Sequence, residues 1–384
     1  MTTPTPATLS RRNLLQLGGL GVAGALLAAC STREPAAGAA DDGGTAAAKS
    51  GAATSGPVTV TDAFGTTLTF DNPVERLATA IMPLPAMVAG VAGTTDVLVG
   101  VNEVSVRYAK EGMLRTVFPA FLDTPTIAGN DFMPNVEELL AQDPQVVITW
   151  GDKGDDIIEP IRAAGLPVLL CEYGTQERLE FTIGMLGDLL GAKDRAQATL
   201  DRFADVRQTV QKAADSKTKP RVLYLYNVVD QLTSAAEDSY MHYWIDLAGG
   251  ENVAAGAGSG SNASVTLEQV LAWDPEVIVI SNYDPTTPAE LLADERFSTL
   301  PAVRDQRVYK APIGAYAWDV PCTESDLMWQ WASTVLHGAE HDLRAKAREV
   351  FADQYGYDLT DADLDQILHA EANSGSAGYA SLLA

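Results

Sequence analysis

Histidine, cysteine and basic residues are all scarce in this sequence of 384 residues. It has four histidines, three cysteines and 26 lysines and arginines against 51 acidic residues, which gives a formal net charge of −25. A chain with this charge would be repelled by a phosphate backbone, so we exclude nucleic-acid binding. The few imidazoles and the lack of a histidine-rich loop argue against a bare zinc or manganese site, which needs several converging ligands.

Recognisable catalytic motifs are also lacking. The sequence contains no Gly-x-Ser-x-Gly nucleophile elbow, no His-Glu-x-x-His and no glycine-rich phosphate loop with a lysine. Asp152, Asp284 and Asp319 are the candidates for a perturbed acid or base at a ligand site, and no nucleophile stands beside them. The sequence favours a binding protein without a cofactor of its own, with an enzyme as the alternative from a different class.

The long apolar run of the chain lies at its start. Arg11 and Arg12 precede a Gly/Ala-rich segment that ends in Leu-Ala-Ala-Cys at Cys30. The run is too short and too rich in small residues to favour a membrane-spanning helix. Residues 1–30 therefore predict an export signal that resembles a twin-arginine signal with a lipobox. The prediction is an exported protein, held at the outer face of the cytoplasmic membrane by a lipid on Cys30.

Two further features follow the predicted signal. Residues 31–56 are rich in Ala, Gly, Ser and Thr, cannot pack a core and predict a flexible tether. The remaining cysteines, Cys171 and Cys322, both follow apolar strand-like runs. A disulfide is permitted outside the cytoplasm, but two separate thiols are the simpler expectation.

Two distant stretches of the chain repeat one pattern. Residues 136–150 read VEELLAQDPQVVITW and residues 267–281 read LEQVLAWDPEVIVIS, with six of fifteen positions identical. Asn135 with Glu138, and Thr266 with Gln269, predict two helices that each start at a capping box. The Asp-Pro pair then ends each helix, and a short apolar strand follows. The repeat predicts two α/β lobes of similar plan.

The rest of the chain fits around the two repeats. Residues 57–192 predict an N-terminal lobe and residues 218–384 a C-terminal lobe, with a loose tail from Ala370. Residues 193–217 lack Pro and Gly, which predicts one continuous helix that joins the lobes stiffly. The fold class is therefore α/β, with two Rossmann-like lobes. In such sheets a ligand lies beyond the carboxyl ends of the strands, here in a cleft between the lobes.

Candidate ligand-binding residues lie at these predicted strand ends. They are mostly aromatic, which suits a flat or greasy ligand: Arg107, Tyr108, Trp150, Tyr173, Tyr226, Tyr283, Tyr316 and Trp318. Arg107 and Tyr108 are predicted on a loop, and the donor fork of Arg107 suits carboxylate or catecholate oxygens. Trp318 has an alternative role, which is to pin the helix that begins near Thr323. His242 could ligate iron together with Tyr283 or Tyr316, although a lone histidine is more often simply buried or solvated.

The chain as a whole resembles a known family. The two repeats, together with GAYAWDVPCTES at 314–325 and FADQYGYDLTDADLDQIL at 351–368, resemble bacterial ABC-transporter substrate-binding proteins for iron–siderophore complexes, haem, cobalamin and related metal chelates. The resemblance implies the class III periplasmic-binding-protein fold. It also implies an ABC permease dimer with its ATPase as partner. By the matched motifs, Glu137 and Glu268 would dock into arginine pockets of that permease.

The resemblance implies capture of an iron complex, with a ferric siderophore as the first expectation. Haem, cobalamin, molybdate and nickel chelates are the alternatives within the family. Siderophore sites often use several arginines, whereas Arg107 is the one obvious candidate here. This difference leaves hydroxamates, citrate-type chelates and haem open as ligands.

Overall fold

Two separate β-sheets organise the protein. A computed structural model describes residues 56–229 and 231–382. Cys30 and nearly all of the predicted tether lie outside these described residues. The strands are β1 Val58–Thr61, β2 Thr67–Phe70, β3 Leu77–Thr79, β4 Leu98–Asn102, β5 Thr126–Ala128, β6 Val146–Trp150, β7 Val168–Cys171, β8 Arg221–Asn227, β9 Thr233–Ser234, β10 Glu251–Asn252, β11 Ala263–Ser264, β12 Val277–Ile280 and β13 Val308–Lys310.

Helices cover and connect the sheets. Short 3₁₀ helices span Pro119–Asp123 and Glu295–Phe297. The α-helices are α1 Leu84–Ala92, α2 Glu103–Ala109, α3 Leu114–Val117, α4 Val136–Ala141, α5 Asp155–Ala163, α6 Gln176–Leu189, α7 Lys193–Ala214, α8 Tyr240–Leu247, α9 Leu267–Trp273, α10 Pro288–Ala293, α11 Pro301–Arg304, α12 Ser325–His337, α13 Leu343–Tyr355, α14 Asp361–Ile367 and α15 Tyr379–Leu382. Among the helices of the described part, none has the length and the apolar composition needed to cross a bilayer.

The first sheet has five parallel strands in the order β5-β4-β3-β6-β7. The strand β6 of the first repeat is buried at all five positions, as a parallel strand covered on both faces must be. The hairpin β1-β2 joins this sheet through Asp62. Its buried carboxylate accepts hydrogen bonds from the backbone N–H groups of Phe64, Thr66 and Leu170 at 2.8–2.9 Å.

The second sheet has six strands in the path β11-β9-β8-β12-β13, with β10 paired to β8. The strand β12 of the second repeat lies parallel to both β8 and β13 and is buried throughout. The strands β9 and β11 run antiparallel at one edge. The prediction of two α/β lobes with parallel central strands is therefore confirmed.

The two repeats share their turn geometry. Asp143 and Asp274 have positive φ angles of 45° and 50°, which reverse the chain after each helix. Arg76 Nε and Arg221 Nε donate to the carbonyl oxygens of these two aspartates, each at 2.9 Å. An arginine at the start of the neighbouring strand thus fixes both turns in the same way.

The two repeat helices differ from each other in one detail at their N-termini. At Thr266 the predicted capping box is complete, because the Gln269 side chain also accepts from the Thr266 N–H at 2.8 Å. At Asn135 the side chain accepts from the Glu138 N–H, but the Asn135 N–H donates to the carbonyl of Ile127 in β5. The prediction of a second capping box was wrong, since the sheet uses the donor that the box requires.

The helix α7 lies between the lobes and is bonded to both. Arg195 donates to the carbonyl of Val91 in α1 at 2.9 Å and to that of Gln354 in α13 at 2.6 Å. Arg202 forms an ion pair with the buried carboxylate of Asp326 in α12 at 2.9 Å. Side-chain contacts therefore hold this helix along its length, beyond its covalent links to the two lobes.

The C-terminal segment packs against the second sheet. Asn373 is fully buried, and its side chain pairs with the backbone N–H and carbonyl of Lys310 at 2.7 and 3.1 Å. Tyr379 is also buried, and its hydroxyl donates to the carbonyl of Leu368 at 2.6 Å. The prediction of a loose tail from Ala370 was wrong, because these side chains complete the edge next to β13.

Cys171 and Cys322 are both buried free thiols. Burial raises the pKa of the Cys171 thiol to about 12 and that of the Cys322 thiol as well. Both side chains are therefore neutral core residues, as the simpler of the two expectations had it.

Candidate functional site

The two lobes touch at the carboxyl ends of their strands. The N–H of Met113, after α2, donates to the carbonyl of Gly314, after β13, at 2.7 Å. A Cβ at Gly112 would lie 2.6 Å from that same carbonyl oxygen, so glycine is required at this approach. Tyr173, after β7, donates its hydroxyl to the carbonyl of Pro321 at 2.7 Å. These bonds place the candidate ligand residues of both lobes along one edge.

Arg107 and Tyr108 lie on a helix and not on the predicted loop. The Asn102 side chain accepts from the Val104 N–H at 2.8 Å and so caps α2 directly after β4. Arg107 is exposed in the last turn of this helix, and its guanidinium carbon lies 5.4 Å from the Tyr108 ring centroid. The signal that sequence reasoning missed was the Asn-Glu start of this short helix.

A cluster of tyrosines fills the contact between the lobes. Tyr108 meets Tyr283 edge-on with ring centroids 4.9 Å apart, and Tyr226 stacks on Tyr283 at 5.4 Å. The hydroxyl oxygens of Tyr283 and Tyr316 lie 3.0 Å apart. Four of the predicted aromatic residues are therefore brought together, one from the first lobe and three from the second.

Trp150 and Tyr173 form the first-lobe side of this edge. Their ring centroids lie 5.9 Å apart, and the Trp150 ring also meets Phe132 at 5.8 Å. The Lys153 ammonium lies 5.7 Å from the Trp150 ring centroid. Within the described residues, the buried Nε1–H of Trp150 has no acceptor.

Burial keeps the clustered phenols neutral. It raises the pKa of Tyr226 to about 12, and it raises the pKa values of Tyr173, Tyr283 and Tyr316 well above the usual range. Desolvation is the largest cause at each of these residues, and the neighbouring phenols and Asp319 add to it at most of them. At neutral pH these side chains are therefore neutral hydroxyls and not phenolates.

A polar cavity of about 510 Å³ lies between the lobes beside the tyrosine cluster. Its lining comes from α2 and the segment after it, from the loop after β12, and from the end of β13: Arg107, Tyr108, Glu111, Asn282, Tyr283, Asp284, Pro285 and Lys310. Each lobe therefore contributes one cationic and one anionic side chain to the lining of this cavity. Glu111 and Lys310 were not among the predicted site residues.

Lys310 holds the loop that carries Tyr283. Its buried ammonium donates to the carbonyl oxygens of Ser281 at 2.7 Å and Asp284, with Thr286 at 3.4 Å. Burial lowers the pKa of Lys310, and the charges of Asp319 and Asp284 oppose that shift. A lysine at the end of an apolar strand was the available sequence signal.

Trp318 does not line the cavity. It is fully buried, and its Nε1–H donates to the carboxylate of Glu324 at the start of α12. These contacts favour the alternative for Trp318, in which this residue packs against the helix.

His242 lies away from the tyrosines. Its Nδ1 is 3.4 Å from the Asn252 side chain, and Asn252 pairs with Val222 near the start of β8. That point is about 13 Å along the strand from Tyr226. The structure therefore does not bring His242 to Tyr283 or Tyr316, the tyrosines with which it could have ligated iron. Among the described residues, no group of three or more His, Cys, Asp or Glu side chains could hold a metal ion.

The acids considered for an enzyme have structural partners. Asp284 accepts from the N–H groups of Val228 at 2.6 Å and Thr286 at 2.8 Å. Asp319 accepts from the Tyr224 hydroxyl at 2.9 Å. Asp152 is exposed and lies 3.7 Å from the ammonium of Lys153. Two of these carboxylates therefore hold loops in place.

Glu137 and Glu268 occupy equivalent places in the two lobes. Each is the second residue of a capped helix and is exposed to solvent. Neither carboxylate has a hydrogen-bond or ion-pair partner in the part of the chain that the structure describes. Each therefore offers a free negative charge at the surface of its lobe.

Comparison with known proteins decides the family. Residues 80–313 match the sequence profile of the periplasmic binding proteins, which covers more than half of the chain. The chain belongs to the periplasmic binding protein family. This solute-binding protein therefore acts outside the cytoplasm, and the resemblance predicted from the repeats is confirmed.

Several relatives of this binding protein are known. A solved periplasmic solute-binding protein of Veillonella parvula is 29% identical, with a TM-score of 0.75 over 83% of this chain and 98% of that chain. The molybdate-binding protein MolA of Haemophilus influenzae is 25% identical over 56% of this chain and 67% of its own length. A cobalamin-binding protein of Halobacterium salinarum is 29% identical over 58% of each chain. The chain spans less than two thirds of that last relative.

Proposed function

We propose that this protein is the ligand-capturing lipoprotein of an ABC importer and that it binds an iron chelate, in the first place a ferric siderophore. The observation that carries the proposal is the polar cavity between the lobes, where Arg107 stands beside the neutral hydroxyls of the tyrosine cluster. Guanidinium and phenol donors suit the carboxylate, hydroxamate or catecholate oxygens that surround a chelated ferric ion. The aromatic rings would cover the organic part of such a ligand.

Site residues follow from this proposal. Arg107, Tyr108 and Tyr283 line the cavity and would contact the ligand directly. Tyr226 and Tyr316 adjoin Tyr283 and would reach the ligand from the same cluster. Trp150 and Tyr173 would form the first-lobe wall, where the buried Nε1–H of Trp150 could donate to the ligand once the wall opens. Trp318 is left out of this set, because its N–H is already bonded to Glu324.

Delivery to a membrane partner completes the proposal. The free carboxylates of Glu137 and Glu268 would dock on an ABC permease dimer, one from each lobe. MolA, a relative, is the cognate binding protein of an ABC transporter. We propose that Cys30 carries the lipid anchor and that residues 31–56 give the protein the reach to meet the permease.

The ligand is tested by native mass spectrometry and absorbance of the protein purified from its own host. A broad visible charge-transfer band, with a mass increase that matches a ferric chelate, is the expected result. A Soret band would identify the ligand as haem instead of a siderophore, and a corrinoid spectrum would identify it as cobalamin. A bound molybdate or nickel complex without a ferric band would overturn the iron proposal and leave the transport role intact.

A further inference from the structure

One buried carboxylate contacts the loop that carries Tyr316. Glu324 is 1% exposed and lies just before α12. Its Oε1 accepts from the Tyr355 hydroxyl at 2.6 Å and from the Ala315 N–H at 3.1 Å, while Oε2 accepts from the Nε1–H of Trp318. A carboxylate removed from water is stable only when its lone pairs are occupied in this way. Three donors from α13 and one loop therefore converge on Glu324.

The loop that Glu324 contacts runs from Ile313 to Trp318. It is closed on itself, because Ile313 and Ala317 form an isolated bridge and the Gly314 N–H donates to the Tyr316 carbonyl at 3.0 Å. A side chain at Gly314 would overlap the Glu324 carboxylate. Loop and carboxylate are thus fitted to each other without intervening space.

The same loop carries two functions of the inter-lobe edge. Tyr316 projects from it into the tyrosine cluster, and the carbonyl of Gly314 accepts from the Met113 N–H of the first lobe. The residue next to Glu324 also touches the first lobe, since a side chain at Gly90 in α1 would overlap Thr323. A group that holds this loop in place therefore holds both Tyr316 in the cluster and the Gly314 contact with the first lobe.

We propose that Glu324 is the positioning residue that holds the 313–318 loop in the form that presents Tyr316 to the site and Gly314 to the first lobe. Its carboxyl group does this because its two oxygens accept from three donors, which the amide of glutamine does not reproduce. The inference rests on the proposed function only in taking Tyr316 as part of the ligand site.

The protonation of Glu324 gives these contacts a dependence on pH. Burial raises the pKa of this carboxyl to about 7; the hydrogen bonds from Tyr355, Trp318 and Ala315 oppose the shift, and the charge of Asp326 adds to it. Arg202 of α7 and the Cys322 thiol are the other titratable groups nearby. On protonation the carboxyl becomes a donor. The indole and backbone N–H groups cannot accept a hydrogen bond from it. Of its three partners, only the Tyr355 oxygen can accept that bond, with the Tyr355 proton turned towards Thr323.

Amide hydrogen exchange of the ligand-free protein tests the proposal. In Glu324→Gln, we expect exchange of peptides that cover residues 109–117 and 312–319 to accelerate by about tenfold, because the amide nitrogen would face the N–H of either Ala315 or Trp318 and leave that donor unsatisfied. The central strand β6 should keep its protection. Because no ligand or permease is present, failure of this test is distinct from failure of the transport proposal.

Two controls separate positioning from simple destabilisation. Tyr355→Phe removes one buried hydroxyl that donates to Glu324, and Tyr379→Phe removes a matched buried hydroxyl that is bonded to Leu368 and Trp331 instead. The first should accelerate both peptides and the second should not. The Tyr355→Phe comparison still decides the question if Glu324→Gln fails to fold.

A pH series gives a readout that a purely structural role would not move. After correction for intrinsic exchange, both peptides of the wild-type protein should gain protection between pH 8 and pH 6, because the buried carboxyl binds its proton more tightly when the loop is closed than when it is open to water. The same peptides of Glu324→Gln should not change over this range. Unchanged exchange in both variants at these peptides, an equal acceleration throughout the protein, or a pH response shared by Glu324→Gln would each overturn the proposal.

Discussion

The hydroxyl oxygens of Tyr283 and Tyr316 lie 3.0 Å apart and are hydrogen-bonded to each other. One phenol must donate and the other must accept, so the pair keeps one O–H free for another acceptor. The ring of Tyr108 from the first lobe meets this pair edge-on. The pair therefore offers a fixed donor at the contact between the lobes.

Removal of one hydroxyl from this pair should weaken ligand binding. With a ferric hydroxamate and ferric citrate as probes, we expect Tyr316→Phe to lower the affinity for the bound chelate by about tenfold, as for loss of one hydrogen bond to a charged group. Quenching of tryptophan fluorescence measures the affinity. Tyr309→Phe is the matched control, because its buried hydroxyl bonds to the Ala377 carbonyl away from the site. Equal affinities in the two variants would contradict a role for the pair.

The charge of Arg107 should matter for an anionic ligand. Arg107→Gln removes the exposed cation that faces the cavity, and we expect about a tenfold or greater loss of affinity for ferric citrate. This loss should shrink at high salt, since the interaction is partly screened. Arg115→Gln removes an exposed arginine of α3 outside the cavity lining and should bind like wild type. A ligand that binds Arg107→Gln at full affinity is not held through this side chain.

Transport and binding should separate at the two surface glutamates. The double variant Glu137→Ala with Glu268→Ala should bind its chelate normally, because both carboxylates lie outside the cavity lining. Uptake by cells that carry this variant should fall to background. Glu138→Ala, one residue along the same helix, is the control and should transport normally. Normal uptake in the double variant would remove the docking proposal and leave ligand capture untouched.

His369 should make the protein sensitive to acid. Burial, with a smaller contribution from Lys310, lowers the pKa of His369 to about 4 from an ordinary value of 6.5. Between these values the unfolded chain binds a proton that the folded chain does not, so the free energy of unfolding falls as pH falls below 6.5. We expect a loss on the order of 2 kcal/mol between pH 7 and pH 4.5 from this residue.

Urea unfolding of wild type and His369→Asn at both pH values measures this contribution. Asn suits the substitution because position 369 has a φ of 49°, which asparagine tolerates. Other groups contribute to both proteins, so the difference between their pH dependences isolates His369. Parallel curves for the two proteins would show that this histidine does not titrate as expected.

The repeat made the general fold predictable from sequence. A capped helix, an Asp-Pro stop and an apolar strand are local signals. The strands of the two copies, β6 and β12, are parallel central strands as predicted. Arg107 and Tyr108 were assigned to a loop because α2 has just seven residues and its start depends on the Asn102 side chain. Short helices of this kind carry little periodicity for a sequence to show.

The site was only partly predictable because its remaining residues depend on tertiary contacts. Lys310 looks like the end of a strand, and its role becomes visible only when three carbonyl oxygens surround its ammonium. The aromatic content of 314–318 indicated a platform, but pattern alone could not tell Tyr316, which faces the cluster, from Trp318, which faces Glu324. Glycine at 112 likewise gave no sign that the other lobe approaches it.

The helix α1 gives a last consequence for work on fragments of this protein. Its residues from Leu84 to Val91 are buried, and α13, which comes from the far end of the chain, covers part of that surface. A fragment that stopped after α7 would leave this apolar helix against water. The first half of the chain is therefore not an autonomous module, and a recombinant fragment that ends after α7 should aggregate.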